Sequence, residues 1–204
     1  MQANITRLKR NVRKDLFSCK EKDRLTALVV RVMMFTSERV GNEGSASNGH
    51  FGVTQFKNKH VKIDGNRVIL DYVGKSGVAH EKSFVDETSA VLLKELLERR
   101  NRFLFTTADG FQIRPDRVNR YLNTFHASSK DIRGFNANRM MVMQLNRVGK
   151  IKDEKQRPKI FNDSLRRIGR KIGHGAATLR THYLLPEIEE HFYKYGTVGK
   201  IKID

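Results

Sequence analysis

Between residues 61 and 85 the chain changes its period. Val61 and Ile63 alternate with Lys62. After Asp64-Gly65-Asn66, Val68, Leu70 and Tyr72 alternate with Arg67, Ile69 and Asp71; after Gly74-Lys75-Ser76-Gly77, an extended run follows from Val78 to Val85. A period of two puts alternate side chains on opposite faces of a strand. Short glycine-bearing turns join antiparallel neighbours. The reading is a small three-stranded antiparallel sheet within residues 51–84, with Lys75 at the tip of its second hairpin.

The rest of the pattern is helical. Leu25, Leu28, Val29, Val32 and Met33 follow helical spacing over residues 22–40, and Gly41, Asn42 and Gly44 stop that helix after Arg39. Asp86 caps a helix bearing Val91, Leu92, Leu93, Leu96 and Leu97, and Pro115 opens one with Val118, Tyr121, Leu122 and Phe125. Ile132 to Val148 forms another, with Met140, Met141, Leu145 and Val148 inward as core filler. Asn162 or Asp163 caps a helix with Leu165, Ile168 and Ile172, and a short last helix covers 184–195. Residues 150–159 read as a charged connection and 196–204 as a loose tail. The fold class is therefore α+β, mainly α-helical, with one main domain at 22–195 behind a basic segment at 1–21. That segment reads equally well as a solvated or frayed helix and as an arm that contacts phosphates.

Charge narrows the partner. Lys and Arg number 40 against 22 Asp and Glu, a net of +18 with a pI near 10.3, which marks a nucleic-acid binder. No run of about 18 apolar residues exists, no secretory signal opens the chain, and no basic helix carries an aromatic apolar face, so no membrane partner is expected. Cys19 is the single cysteine, which excludes an internal disulfide and a cysteine zinc site and fits a reducing compartment, the cytoplasm. Gly74-Lys75-Ser76 lacks the leading glycines and the following helix of a phosphate loop, so no nucleotide is expected. The acidic residues are dispersed, and His182 and His191 do not make a zinc set; no metal or other cofactor is expected.

What remains is cations and a phenol. In Lys171 to Tyr183, His174 stands nine positions before Tyr183, and Arg39, Lys75 and Arg133 lie upstream. Direct attack on a phosphodiester needs an oxygen nucleophile, donors on the non-bridging oxygens and an acid for the leaving oxygen. Arginine gives two parallel bonds to phosphate and never deprotonates. Histidine adds a third donor, and a lysine among cations gives up its proton more readily. A lone tyrosine is more often half-buried structure; the order of all five residues carries the weight.

The same stretches resemble the catalytic domain of the type IB DNA topoisomerases, the short poxviral and bacterial forms above all. Arg39-Val-Gly-Asn-Glu43 matches the first arginine motif, and Asn48-Gly-His-Phe-Gly-Val-Thr54 with Lys59-His60-Val61 matches the segment after it. Leu70-Asp-Tyr-Val-Gly-Lys75 matches the lysine hairpin, Lys130-Asp-Ile-Arg133 the second arginine motif, and Ile172-Gly-His174 with Tyr183 the last two. The resemblance implies the fold shared by tyrosine recombinases and these topoisomerases, double-stranded DNA as partner, and a monomer that relaxes supercoils without ATP or metal. It makes Tyr183 the nucleophile of a 3′-phosphotyrosyl bond. Arg39, Arg133 and His174 would hold the phosphate oxygens, Lys75 would protonate the leaving 5′-oxygen, and Lys130, Lys59 and His60 would contact DNA. Residues 22–195 would be the catalytic domain, without the usual N-terminal clamp. Arg133-Gly134-Phe135 departs from the family's usual Arg-Thr-aromatic, which is expected to alter packing more than chemistry. A tyrosine recombinase is the alternative, although it typically reads His-x-x-Arg where this chain has Lys130-x-x-Arg133. A non-catalytic DNA-binding protein on the same fold is the third reading.

Overall fold

The alternating stretch folds as three antiparallel strands, β1 (Val61–Asp64), β2 (Arg67–Val73) and β3 (Ala79–Val85), in the order β1-β2-β3. The computed structural model describes residues 2–42, 44, 47–74, 77–199, 201 and 203, and the side chains of all of these except Gln2 and Ala3. Lys75 and Glu43 lie outside the described residues. The chain forms two compact units, Ala3–Ser129 and Lys130–Asp204.

In the first unit, register follows the apolar row. Val61 pairs with Leu70, Val68 with Phe84 and Tyr72 with His80, and Val68, Leu70 and Tyr72 are buried. A two-residue turn joins β1 to β2, with Gly65 at φ +55. Helices α1 (Gln2–Asp15), α2 (Glu21–Thr36), α3 (Glu87–Glu98) and α4 (Pro115–Asn123) complete this unit. Asp86 caps α3 by accepting from Ser89 N at 3.1 Å, and Arg31 on α2 grips the same carboxylate at 2.6 and 3.3 Å. The basic segment is a docked amphipathic helix: Ile5, Leu8, Val12 and Leu16 are buried, while Arg7, Arg10, Arg13 and Lys14 face solvent.

The second unit is built from α5 (which opens at the unit boundary, Ser129–Val148), α6 (Arg157–Ile172), α7 (Ala176–His182) and α8 (Pro186–Tyr195). Met141, Leu145, Phe161, Leu165, Ile168, Ile172, Leu179, Ile188 and Phe192 form its core. Val148, expected inward, is 39% exposed. Helix α6 starts five residues ahead of the expected cap, because Pro158 occupies the first turn, where its missing N–H costs nothing. Arg157 is buried and donates to Ile151 O, Tyr193 O and Lys194 O, so a cation closes the last carbonyls of α8. The stretch read as a loose tail is docked in part. Val198 is fully buried, Ile201 and Ile203 pack on the same core, and Ile151 N donates to Gly196 O at 2.8 Å.

His60 belongs to the core of the first unit. It is 5% exposed, its ring lies 4.4 Å from Phe51, and its Nδ1 accepts from Lys57 N at 3.1 Å. Burial, then Lys59 and Lys57, push its pKa down to about 4. The unfolded chain therefore binds a proton that the folded chain refuses between pH 6.5 and about 4. The stability that His60 contributes is full above pH 6.5 and is lost as pH falls through that window. Urea titrations at a series of pH values should give the wild type a slope in that window steeper than that of His60→Phe by about one proton.

Candidate functional site

Helix α6 ends where it does because Gly173 takes the left-handed conformation, φ +71. That exit leaves Ile172 O without a helical partner. Arg133, on α5 and 3% exposed, donates its Nη2 to this oxygen at 2.8 Å and contacts His174 Nε2 at 2.6 Å. A guanidinium only donates, so Nε2 is the acceptor in this arrangement. Gly169 lets the turn close: His174 N donates to Gly169 O at 2.8 Å, and a Cβ on Gly169 would meet His174 O at 2.6 Å. His174 is thereby fixed one residue beyond the helix end, half-buried.

Tyr183 follows α7 directly and donates its N–H to Leu179 O at 3.1 Å. Its half-buried ring lies 4.8 Å from the His174 ring, and the Arg133 guanidinium carbon is 6.0 Å from its centroid. The Tyr183 ring thus sits beside an arginine and a histidine, side-chain types that can both donate to phosphate oxygens. A Cβ on Gly134 would stand 3.8 Å from Tyr183, an ordinary contact, so glycine at this position leaves space beside the phenol ring.

Asn138 was not singled out from the sequence. It is 2% exposed and uses both ends of its amide: Nδ2 donates to Gly134 O and Tyr183 O, each at 2.7 Å, and Oδ1 accepts from Leu185 N at 2.7 Å. It holds the main chain on both sides of Leu184 against α5. The available signal was an asparagine inside a helix, where its side chain competes with the backbone and is a poor helix former.

The other expected site residues divide as follows. Lys130 is exposed at the start of α5. Arg39 lies in the first unit, half-buried, after α2 ends at Ser37 with φ +60. Its carbonyl accepts from Val53 N at 3.0 Å, and Val40 O accepts from Thr54 N at 3.0 Å and Thr54 Oγ1 at 2.8 Å. Gly41 and Gly52 allow this approach, since a Cβ on Gly52 would meet Gly41 Cα at 2.3 Å. Lys59 is exposed, whereas His60 is buried beneath it. The structure therefore brings Arg133, His174 and Tyr183 together in the second unit and carries Arg39, Lys59 and His60 in the first. Among the described residues, no three His, Cys, Asp or Glu side chains gather as a metal set. No described helix is long and apolar enough to cross a membrane.

The family model for the catalytic core of eukaryotic DNA topoisomerase I matches residues 1–191. The chain belongs to this family. It is also 26% identical over 189 residues to "DNA topoisomerase 1B" of Acanthamoeba polyphaga mimivirus, over 85% of this chain and 56% of that protein. Among solved structures it is similar to the XerH site-specific recombinase bound to difH substrate in a pre-cleavage complex. The TM-score is 0.55 at 19% identity, over 93% of this chain and 52% of that one. This likeness places the chain in the fold that topoisomerase I shares with the tyrosine recombinases. The chain spans about half the length of both relatives.

Asn138 yields a stability test in this family member. Asn138→Ala strands Leu185 N–H and Tyr183 C=O and should cost about 1–3 kcal/mol in urea unfolding. Asn138→Asp, equal in size, should cost no less, because its carboxylate would face two carbonyls.

Proposed function

We propose that the chain is the strand-transferring part of a type IB DNA topoisomerase. The observation that carries this reading is the cluster of Arg133, His174 and Tyr183, held within 6.0 Å of one another by the end of α6 and by Asn138. Tyr183 Oη attacks the phosphorus of a DNA strand and loses its proton to solvent. An Oη–P bond forms and the P–O5′ bond breaks. The leaving 5′-oxygen takes a proton from Lys75, the role that the family resemblance gives this residue. Arg133 and His174 donate to the non-bridging oxygens, and the resemblance adds Arg39 to that task. For His174 this means that Nε2 turns from acceptor to donor when phosphate replaces the Arg133 contact.

The phosphotyrosyl ester conserves the bond energy. The free 5′-hydroxyl can rotate about the intact strand and attack the same phosphorus, restoring the DNA and the phenol. The steps as written need neither ATP nor metal. The net charge of +18 and the exposed Lys59 and Lys130 supply backbone contacts to double-stranded DNA.

The test is relaxation of a negatively supercoiled plasmid in chelator without ATP. The wild type should relax it and form a covalent protein–DNA adduct on denaturation. Tyr183→Phe should lose both by on the order of a thousandfold or more while still binding DNA. Wild type and mutant that bind equally and relax nothing would leave a binding protein in place of an enzyme.

A further inference from the structure

Glu38, the residue before Arg39, is a buried acid in a chain of net charge +18. Three groups face it from the sheet. The Lys82 ammonium lies against Oε1, His80 Nδ1 is 3.8 Å away, and the Tyr72 side chain helps hold the carboxyl below its ordinary range. Burial pushes the pKa of Glu38 up, but Lys82, Tyr72 and His80 outweigh it and leave the carboxyl below its ordinary range, ionised at neutral pH. Lys82 also donates to Thr36 O at 2.9 Å, at the end of α2, so β3 is fastened to the chain just ahead of Arg39.

The contacts continue towards the second hairpin. His80 lies two residues before Lys82 on β3 and pairs with Tyr72 across the ladder, the rings stacked 5.3 Å apart at 21°. The imidazole fills the space over Gly74: a Cβ there would be 2.6 Å from His80 Cδ2 and 2.7 Å from Nε2. Gly74 directly precedes Lys75 in sequence. Gly74 N donates to Val78 O at 2.7 Å, and Gly77 N to Gly74 O at 3.2 Å, which closes the hairpin base. One run of contacts thus extends from the residue before Arg39 to the residue before Lys75.

A buried ion pair contributes little net stability over an apolar pair of the same shape, but its charges fix a geometry. We propose that Glu38 and His80 are positioning residues that set the base of the lysine hairpin, at Gly74 and Val78, relative to the Arg39 stretch, and so act through Lys75 on departure of the 5′-oxygen. The inference rests on the strand-transfer reading and on Lys75 as its acid. It assigns no direct contact with DNA to either residue.

A leaving-group substitution tests it. Two duplexes of one sequence would carry, at a cleavage position mapped with the wild type, either the normal 5′-oxygen or a bridging 5′-sulfur. A thiol has a pKa of about 8.5, against about 15.7 for water, so sulfur departs without a proton while oxygen needs one. In single-turnover cleavage, Glu38→Gln and His80→Ala should each slow the oxygen substrate by about ten- to a hundredfold and the sulfur substrate by no more than about threefold. Lys75→Ala is the reference for that pattern. Equal slowing on both substrates, or none on either, overturns the proposal. Glu38→Gln keeps the side-chain volume and decides the matter if His80→Ala does not fold. A wild type that cleaves neither duplex, and so behaves as Tyr183→Phe, overturns the strand-transfer reading, and this inference falls with it.

Discussion

A guanidinium that is 3% exposed can persist only if its charge is met by good acceptors. For Arg133 the C-terminal carbonyl of α6 meets it, at the negative end of that helix. The geometry of the Arg133, His174 and Tyr183 side chains follows from this bond. Gly173 ends the helix so that Ile172 O is available; Gly169 admits the returning turn; His174 then falls against the same guanidinium. Tyr183 is tied back to α5 through its own carbonyl by Asn138. The interval of nine residues between His174 and Tyr183 is thus pinned near both ends to one helix, and α7 fills the space between.

The first unit solves a different problem with similar means. Arg39 lies on irregular chain just past a helix end, where main-chain groups must find partners outside a helix. They find them in the 3-10 turn at Val53–Gln55, and the absence of Cβ at Gly41 and Gly52 allows that closeness. His60 supports the next turn from below, its ring among Phe51, Phe56 and Tyr72, while Lys59 points outward. Adjacent residues of one motif thus serve the surface and the core.

Much of this was legible in the sequence, for identifiable reasons. The sheet, its turns and most helices followed from periodicity, because burial of one face imposes that spacing. Asp86 and Pro115 were readable as helix starts because their effects are local. The misses involve partners distant in sequence. Arg157, at the start of α6, is buried because it closes α8, more than thirty residues on. The last residues dock because Val198 meets a core assembled from four helices. His60 resembled a surface histidine among lysines, and only the fold sets it beside Phe51. Asn138 offered no motif at all, since its role is to join two segments that the chain keeps 45 positions apart. In the candidate site, order and type pointed to Arg133, His174 and Tyr183, which the structure brings together, but not to Asn138, which ties Tyr183 to α5.

Helix α7 has seven residues, and Leu179 is the one among them that is buried. A helix this short has little stability of its own. Besides Leu179, Ala176 packs on the core and Arg180 bonds to Asn162 and Glu189, so few bonds must break for the helix to open while α5 and α6 stay closed. Its main-chain amides should therefore exchange with solvent through local fluctuations that leave those neighbours intact. The bonds to Asn138 lie at the far end, at Tyr183 and Leu185, and act as a pivot. Tyr183 therefore stands where the short helix meets this pivot: opening of α7 would leave its α-carbon near Asn138.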